Sequence, residues 1–473
     1  MRVLPTLSAL LLTAVAMPTR AGDPRSEADH PLLREVSRKV SEEELRTTLT
    51  RLVAFGTRHT LSDTASDTRG IGAARRWTAE RFAAFSKACD GCLEVVTPEE
   101  KMTGTRLPPE GAVIQDVLAI QRGTQEPNRV LLISGHIDTR VNDVMDATSD
   151  APGANDDGSG TAAVLEAARV LSQYKFPATL VYAVLSGEEQ GLYGGKLLAT
   201  HARAQGWQVE AVLNNDIIGN THGQNGAHVD DRVRVFSEGT KAVETPAEAS
   251  RRRYNGGEVD SPSRQLARFI EGLTRRYLPG FRVSMVYRTD RYGRGGDQVP
   301  MLEAGFPAVR VTEAVEHYDR QHQTPRTENG RAYGDGVAGV DIPYLARVTR
   351  MNVLALAALA SAPPPPTEVK LEGALSTDTK LSWAPSPGAT RYRVWWRDTL
   401  APHWERAQDA GAATSAVVKD VVIDDFVFGV QALNAEGWAS PVEFPGAAGS
   451  FVSPPPPPAP APPPAPAPAP PGR

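Results

Sequence analysis

Cysteine is scarce in this chain. Only Cys89 and Cys92 occur among its 473 residues, within KACDGCLEVV. They can close one local disulfide at most, so the fold has to rest on a hydrophobic core. An excess of one charge is lacking too. The net charge of −5 is modest and spread along the chain, with no basic stripe, which excludes nucleic acid as a partner. Long apolar runs are also missing. LPTLSALLLTAVA near the N-terminus is too short to span a bilayer, and NVLALAALASA, with Arg347 and Arg350 upstream, reads as a buried helix. No membrane span is expected.

What is present begins with an export signal. Arg2 is a minimal positive region, the short apolar run follows, and Ala14-Val15-Ala16 and Thr19-Arg20-Ala21 both fit a cleavage end, so residues 1–21 read as a signal peptide. A secreted or periplasmic protein is expected. Export changes how Cys89 and Cys92 read. In a reducing compartment C-x-x-C could be a redox or zinc half-site; in an oxidising one, a disulfide around Asp90-Gly91 fits better.

The chain divides by pattern. Residues 25 to about 52 read as helical, with Ser41 and Glu44 as a capping box, and ARRWTAERFAAF is a second helix. From Leu118 onward strand, loop and helix alternate: VLLIS (130–134), GTAAVLEAARVL, ATLVYAVL, GGKLLATHARA, VEAVLNND and PAVRVTEA (307–314). Asp341 and Pro343 open a last helix. Continuous apolar strands imply cover on both faces, hence an α/β domain with a mostly parallel sheet between helices, over 25–362. Pro363 to Pro366 make a stiff linker. Residues 367–447 then alternate as short strands, with Tyr392, Val394 and Trp396 on one face, the pattern of a small all-β sandwich. Residues 448–473 are rich in Pro and Ala and cannot build a core.

The chemistry lies at the predicted strand ends. His136 follows VLLIS, with Asp138 two residues on. Asp156 and Asp157 sit in the Gly-rich turn GANDDGSG. Glu188 and Glu189 follow ATLVYAVL, and Asp216 follows the next strand. Ligands bind at the carboxyl edge of such sheets. Imidazoles and carboxylates gathered there are what a two-metal hydrolytic site requires. HID, NDDG or EE alone would be an ordinary surface feature; their joint order is not.

Taken together, these motifs resemble the M28 zinc aminopeptidases, over about residues 40–360. The resemblance implies two Zn2+ ions, with His136 and Asp216 on the first, Asp156 bridging both, and Glu189 and His322 on the second. Glu188 is then the general base, and His322 fits the last ligand better than His317. Asp138 and Asp297 take supporting roles, and the Asp156–Asp157 peptide is expected to be cis. Gln321 stands where many relatives have Tyr, and Gly296-Asp297-Gln298 where the family often has Ser-Asp-His. The 367–447 region resembles a fibronectin type III domain. The implied function is a monomeric aminopeptidase acting on peptides with a free N-terminus, its C-terminal module binding a polymer or cell surface. Glutaminyl cyclase, a carboxypeptidase using Arg288, Arg291 and Arg294 as a clamp, and a non-enzymatic adhesive protein are the alternatives. His30, His201 and His403 read as surface residues, His59 as a cleft-lining or a structural residue, and His222 and His228, in a loop that could shape the pocket, are not assigned as ligands.

Overall fold

A computed structural model describes residues 29–445. Residues 1–21, read as a signal peptide, and the Pro/Ala-rich tail lie outside them. The core is an eight-stranded sheet. From one edge its strands are Glu94–Val96, Val117–Gln121, Ala178–Leu185, Glu126–His136, Gln208–Asn215, Ala308–Glu313, Arg232–Phe236 and Arg282–Val286. The four in the middle are mutually parallel, and the antiparallel pairings lie toward the two edges.

The apolar runs are explained by cover on both faces. Along Glu126–His136, Leu131 and Ile133 enter the core beneath the helices Gly158–Leu171 and Ile342–Ser361. Val130 and Leu132 point the other way, into a second core with Leu198, Trp207 and Met301. Alternation along one strand thus supplies two helical layers from one continuous run. The last helix begins as its sequence implies, with Asp341 accepting from the Tyr344 N–H at 3.0 Å.

The N-terminal region departs from expectation. It forms two helices, Pro31–Lys39 and Glu42–Val53, broken at Val40 and Ser41. Ser41 accepts from the Glu44 N–H, but the reciprocal half of the capping box is missing. The Ser41 N–H donates instead to Glu166 Oε1 at 2.6 Å, while Glu44 pairs with Arg81 at 3.2 Å. A tertiary acceptor outbid the local one. Cys89 and Cys92 are disulfide-bonded after the helix Gly70–Ala88. Among the described residues no helix is long and apolar enough to cross a membrane.

Residues 367–433 hold two three-stranded antiparallel sheets. One contains Thr367–Glu372, Thr379–Ala384 and Ser415–Val418; the other Arg406–Gly411, Arg391–Asp398 and Phe426–Leu433. Tyr392, Val394 and Trp396 share one core with Trp383 and Phe428, as their alternation requires. Trp395 faces away, toward Trp404 and Val442. The module is seated on the α/β part. Trp404 Nε1 donates to Gln265 Oε1 at 3.2 Å, and Asn434 Nδ2 donates to the Ser361 carbonyl at 3.1 Å. His30 stacks on Trp438, and His403 lies 3.5 Å from Glu271. Both histidines join the seam instead of lying free on the surface, and His201 packs edge-on against Trp207.

Candidate active site

The site is built where the central strands stop. Gly135 ends the apolar run because the start of the helix Gly158–Leu171 passes too close for a side chain: a Cβ there would meet the Gly160 backbone at 2.6 Å. His136 follows. Its backbone N–H donates to Asp157 Oδ2 at 3.0 Å. Asp157 also accepts from the N–H groups of Gly160 and Ile217, at 2.9 and 3.2 Å. One carboxylate therefore fixes the His136 strand end, the helix start and the residue after Asp216.

Asp138 supports the site through both its main chain and its side chain. The His136 Nδ1 lies 3.0 Å from the Asp138 main-chain carbonyl, with the carboxylate further off at 3.5 Å. That carboxylate accepts from Thr60 Oγ1 and from the backbone N–H groups of Glu188 and Glu189. It therefore also holds the acidic pair. Glu188 and Glu189 do not end a strand. Gly187, at φ +80°, turns the chain, and the two acids open the one-turn helix Glu188–Gly191.

Asp156 hangs from an equally fixed turn. The backbone N–H groups of Asn155 and Asp156 both donate to Asp335. Asn155 Nδ2 donates to Glu313 at 2.8 Å, and the Asp156–Asp157 peptide is cis. Asp156 Oδ1 lies 3.4 Å from His136 Nε2, and its Oδ2 lies 3.0 Å from His322 Nε2. The same His322 nitrogen is 3.0 Å from Glu189 Oε1. Two groups result, His136 with Glu188 and Asp216, and Asp156 with Glu189 and His322. Within each, the donor atoms lie within 4.8 Å of one another. Asp156 connects the two.

The donors fit cations. His136 Nε2 and Glu189 Oε1 are buried without a hydrogen-bond partner. Such orphans are costly unless something outside the chain satisfies them. Buried imidazole and carboxylate together suit zinc. The electrostatics agree. Burial opposes charge on Asp156, yet His322 and His136 hold its carboxyl well below the usual range. Burial works against a charge on His322 too, but Glu189 and Asp156 push it up to about 10. Burial raises Glu188 well above an ordinary glutamate, and neighbouring Asp216 and Glu189 add to the rise despite His136.

The remaining candidates fall outside the two groups. Burial pushes Asp297 up to about 7, and it accepts from the Gly195 N–H, bracing the helix Tyr193–Ala204. His59 is buried against the Val144 carbonyl, and His222 stacks on His228. His317 is in neither group. Arg291 and Arg294 are engaged by Glu316, at 3.2 and 3.3 Å, so they are not a vacant clamp. Gln321 also donates to Glu316. Three residues escaped the sequence reading. Asp335 carries no local signal. Arg140 reaches both Glu189 and His322. Arg310 lies 2.7 Å from Asp216; a lone arginine inside the apolar strand PAVRVTEA was the available clue.

The model of peptidase family M28 matches residues 116–335, which span every member of both groups. A probable zinc metalloprotease of Leptosphaeria maculans is 41% identical over 410 residues, covering 86% of this chain and 95% of the relative. The chain belongs to peptidase family M28. A probable zinc metalloprotease of Pyricularia oryzae is likewise 41% identical over 416 residues, covering 86% of this M28 chain and 83% of the relative. Both alignments are longer than the stretch up to Ala362, so they extend into the C-terminal module or the segments that flank it. Among solved structures, the LapA aminopeptidase of Legionella pneumophila shares the fold at 19% identity. Its TM-score is 0.51, over 75% of this chain and 80% of that one. LapB of the same organism matches at 18% identity and a TM-score of 0.52, over 72% and 78%.

Proposed function

We propose that this M28 chain is a zinc-dependent aminopeptidase that binds two ions. The observation that carries the reading is the division of Asp156, one oxygen toward His136 and the other toward His322. His136, Asp216 and Asp156 would hold the first zinc, and Asp156, Glu189 and His322 the second. Bound there, the ions would supply Lewis acidity to a scissile carbonyl and acidify a water.

The residues of the chain do the rest. Glu188 stands beside His136 and Asp216 within the first group. Burial gives it a high proton affinity. It is suited to take a proton from the attacking water and hand it to the leaving amine. Asp138 fixes Glu188 by its backbone, so the base is aimed by a buried group. The concentration of acids favours a free α-amino group on the substrate. The names of the relatives support zinc and proteolysis, and that of LapA supports an aminopeptidase.

The same reading makes the enzyme exported and monomeric, with the 367–447 module, fibronectin type III-like in pattern, serving attachment to a polymer or cell surface. The signal-like residues 1–21 and the disulfide support export. One assay tests the activity: purified enzyme with aminoacyl-nitroanilides, N-blocked peptides and N-terminal Gln peptides. Hydrolysis restricted to free N-termini is expected. Turnover of N-blocked peptides would indicate a carboxypeptidase, and ring closure of Gln peptides a glutaminyl cyclase.

A further inference from the structure

Two guanidiniums touch the proposed ligand sets, one on each. Arg310 is fully buried, and its Nη2 lies 2.7 Å from Asp216 Oδ2. Arg140 is mostly buried. Its Nε donates to Glu189 Oε2 at 2.9 Å, and its Nη2 is 2.5 Å from His322 Nδ1. In Glu189 the division of labour is complete: Oε2 meets arginine, while Oε1 is the unpartnered oxygen that faces His322.

Arg310 is held by a dedicated cradle. Its Nη1 donates to Asp290 Oδ2 at 3.1 Å and to the Gly295 carbonyl at 2.7 Å. Gln298 braces Asp290 at 2.6 Å and accepts from Asn214 at 3.1 Å. Gly296 packs beside it: a Cβ there would sit 2.5 Å from Arg310 Nη1 and crowd the guanidinium. Gly296 makes room for the arginine, and Gln298 steadies the carboxylate that shares it.

The two groups bring together four carboxylates, Asp156, Glu188, Glu189 and Asp216, largely out of solvent. Crowded buried anions repel one another and stay together only with compensating charge. An arginine keeps its charge throughout.

We infer that Arg310 and Arg140 are built-in counter-ions. They are positioning residues that hold Asp216 and Glu189 in place before an ion arrives, with Glu189 Oε1 left for it. The inference rests on the two-ion reading, but its test fails separately from that one.

The experiment is a set of thermal melts of the full chain, each run with excess chelator and with zinc. Arg310→Gln and Arg140→Gln are compared with wild type and with Arg310→Lys. Each Gln variant is expected to lose more Tm in chelator than in zinc, by at least about 2–4 °C. Arg310→Lys, which keeps the charge, should recover part of that difference. A merely structural arginine would lower both melts equally, and equal shifts in both Gln variants overturn the inference. If Arg310→Gln does not fold in either condition, Arg140→Gln decides. Metal content of the zinc-loaded wild type checks the two-ion reading independently: a single equivalent sinks that reading, while the melts still judge the arginines.

Discussion

Asp260 and Arg397 close the seam between the α/β part and the C-terminal module. One guanidinium nitrogen of Arg397 donates to both Asp260 oxygens, at 2.8 and 2.9 Å, with both side chains sealed from solvent. Arg268 reaches the same carboxylate at 2.8 Å and also donates to the Pro402 carbonyl.

Removing Arg397 leaves part of that buried charge uncompensated. Arg397→Met is expected to destabilise the protein by about 3–5 kcal/mol, the usual cost of breaking a buried pair. Urea melts measure it. An effect below about 1 kcal/mol would mean that Arg268 alone suffices.

A chain ending at Ala362 should keep hydrolysis of small aminoacyl substrates, because no residue of the module belongs to either donor group. It should also melt lower, with Asp260, Gln265 and Ser361 deprived of partners. A folded, metal-loaded truncation without activity would show that the module shapes the site.

Metal analysis should give close to two zinc equivalents per chain. Exhaustive chelation should abolish hydrolysis and zinc restore it. Full activity after chelation would refute the assignment of His136, Asp156, Glu189, Asp216 and His322.

Glu188→Gln should keep most of the metal and lose on the order of 10²–10⁴-fold in kcat. Glu189→Gln should instead lose metal. Near-normal kcat in Glu188→Gln would require the two roles to be exchanged.

Glu238, far from the donor groups, gives a pH signature. Burial pushes its carboxyl up to about 7, against the Ala242 N–H and Lys241. An unfolded glutamate titrates near about 4.3. Between these values the folded form holds a proton that the unfolded form has lost, so stability falls as pH rises through the window. Glu238→Gln removes that fall. The variant should gain on the wild type between about pH 4 and 7.5, by on the order of 1–3 kcal/mol. An unchanged difference across this range would contradict it.

The layout was legible where one strong local pattern dictated it. Leu131 to Ile133 could only be a doubly covered strand, and strand ends in α/β sheets place ligands on one edge. His136 and Asp216 lie in one donor group, and Asp156, Glu189 and His322 in the other. What escaped depends on partners distant in sequence. Asp335 reaches Asn155 across the fold, and Glu166 takes the Ser41 N–H that a local capping box would have used. Trp438 finds His30 from the other end of the chain. No periodicity encodes such pairings, and only the finished packing brings them into contact.

The donor set is also spread along the chain, from His136 to His322, on five separate turns. A nascent polypeptide lacks its last ligand until residue 322 has emerged, and the turns meet only after the parallel sheet has closed. A protease built in this way is silent while it is being made. Its own unfolded neighbours are out of danger until the fold that would attack them is complete.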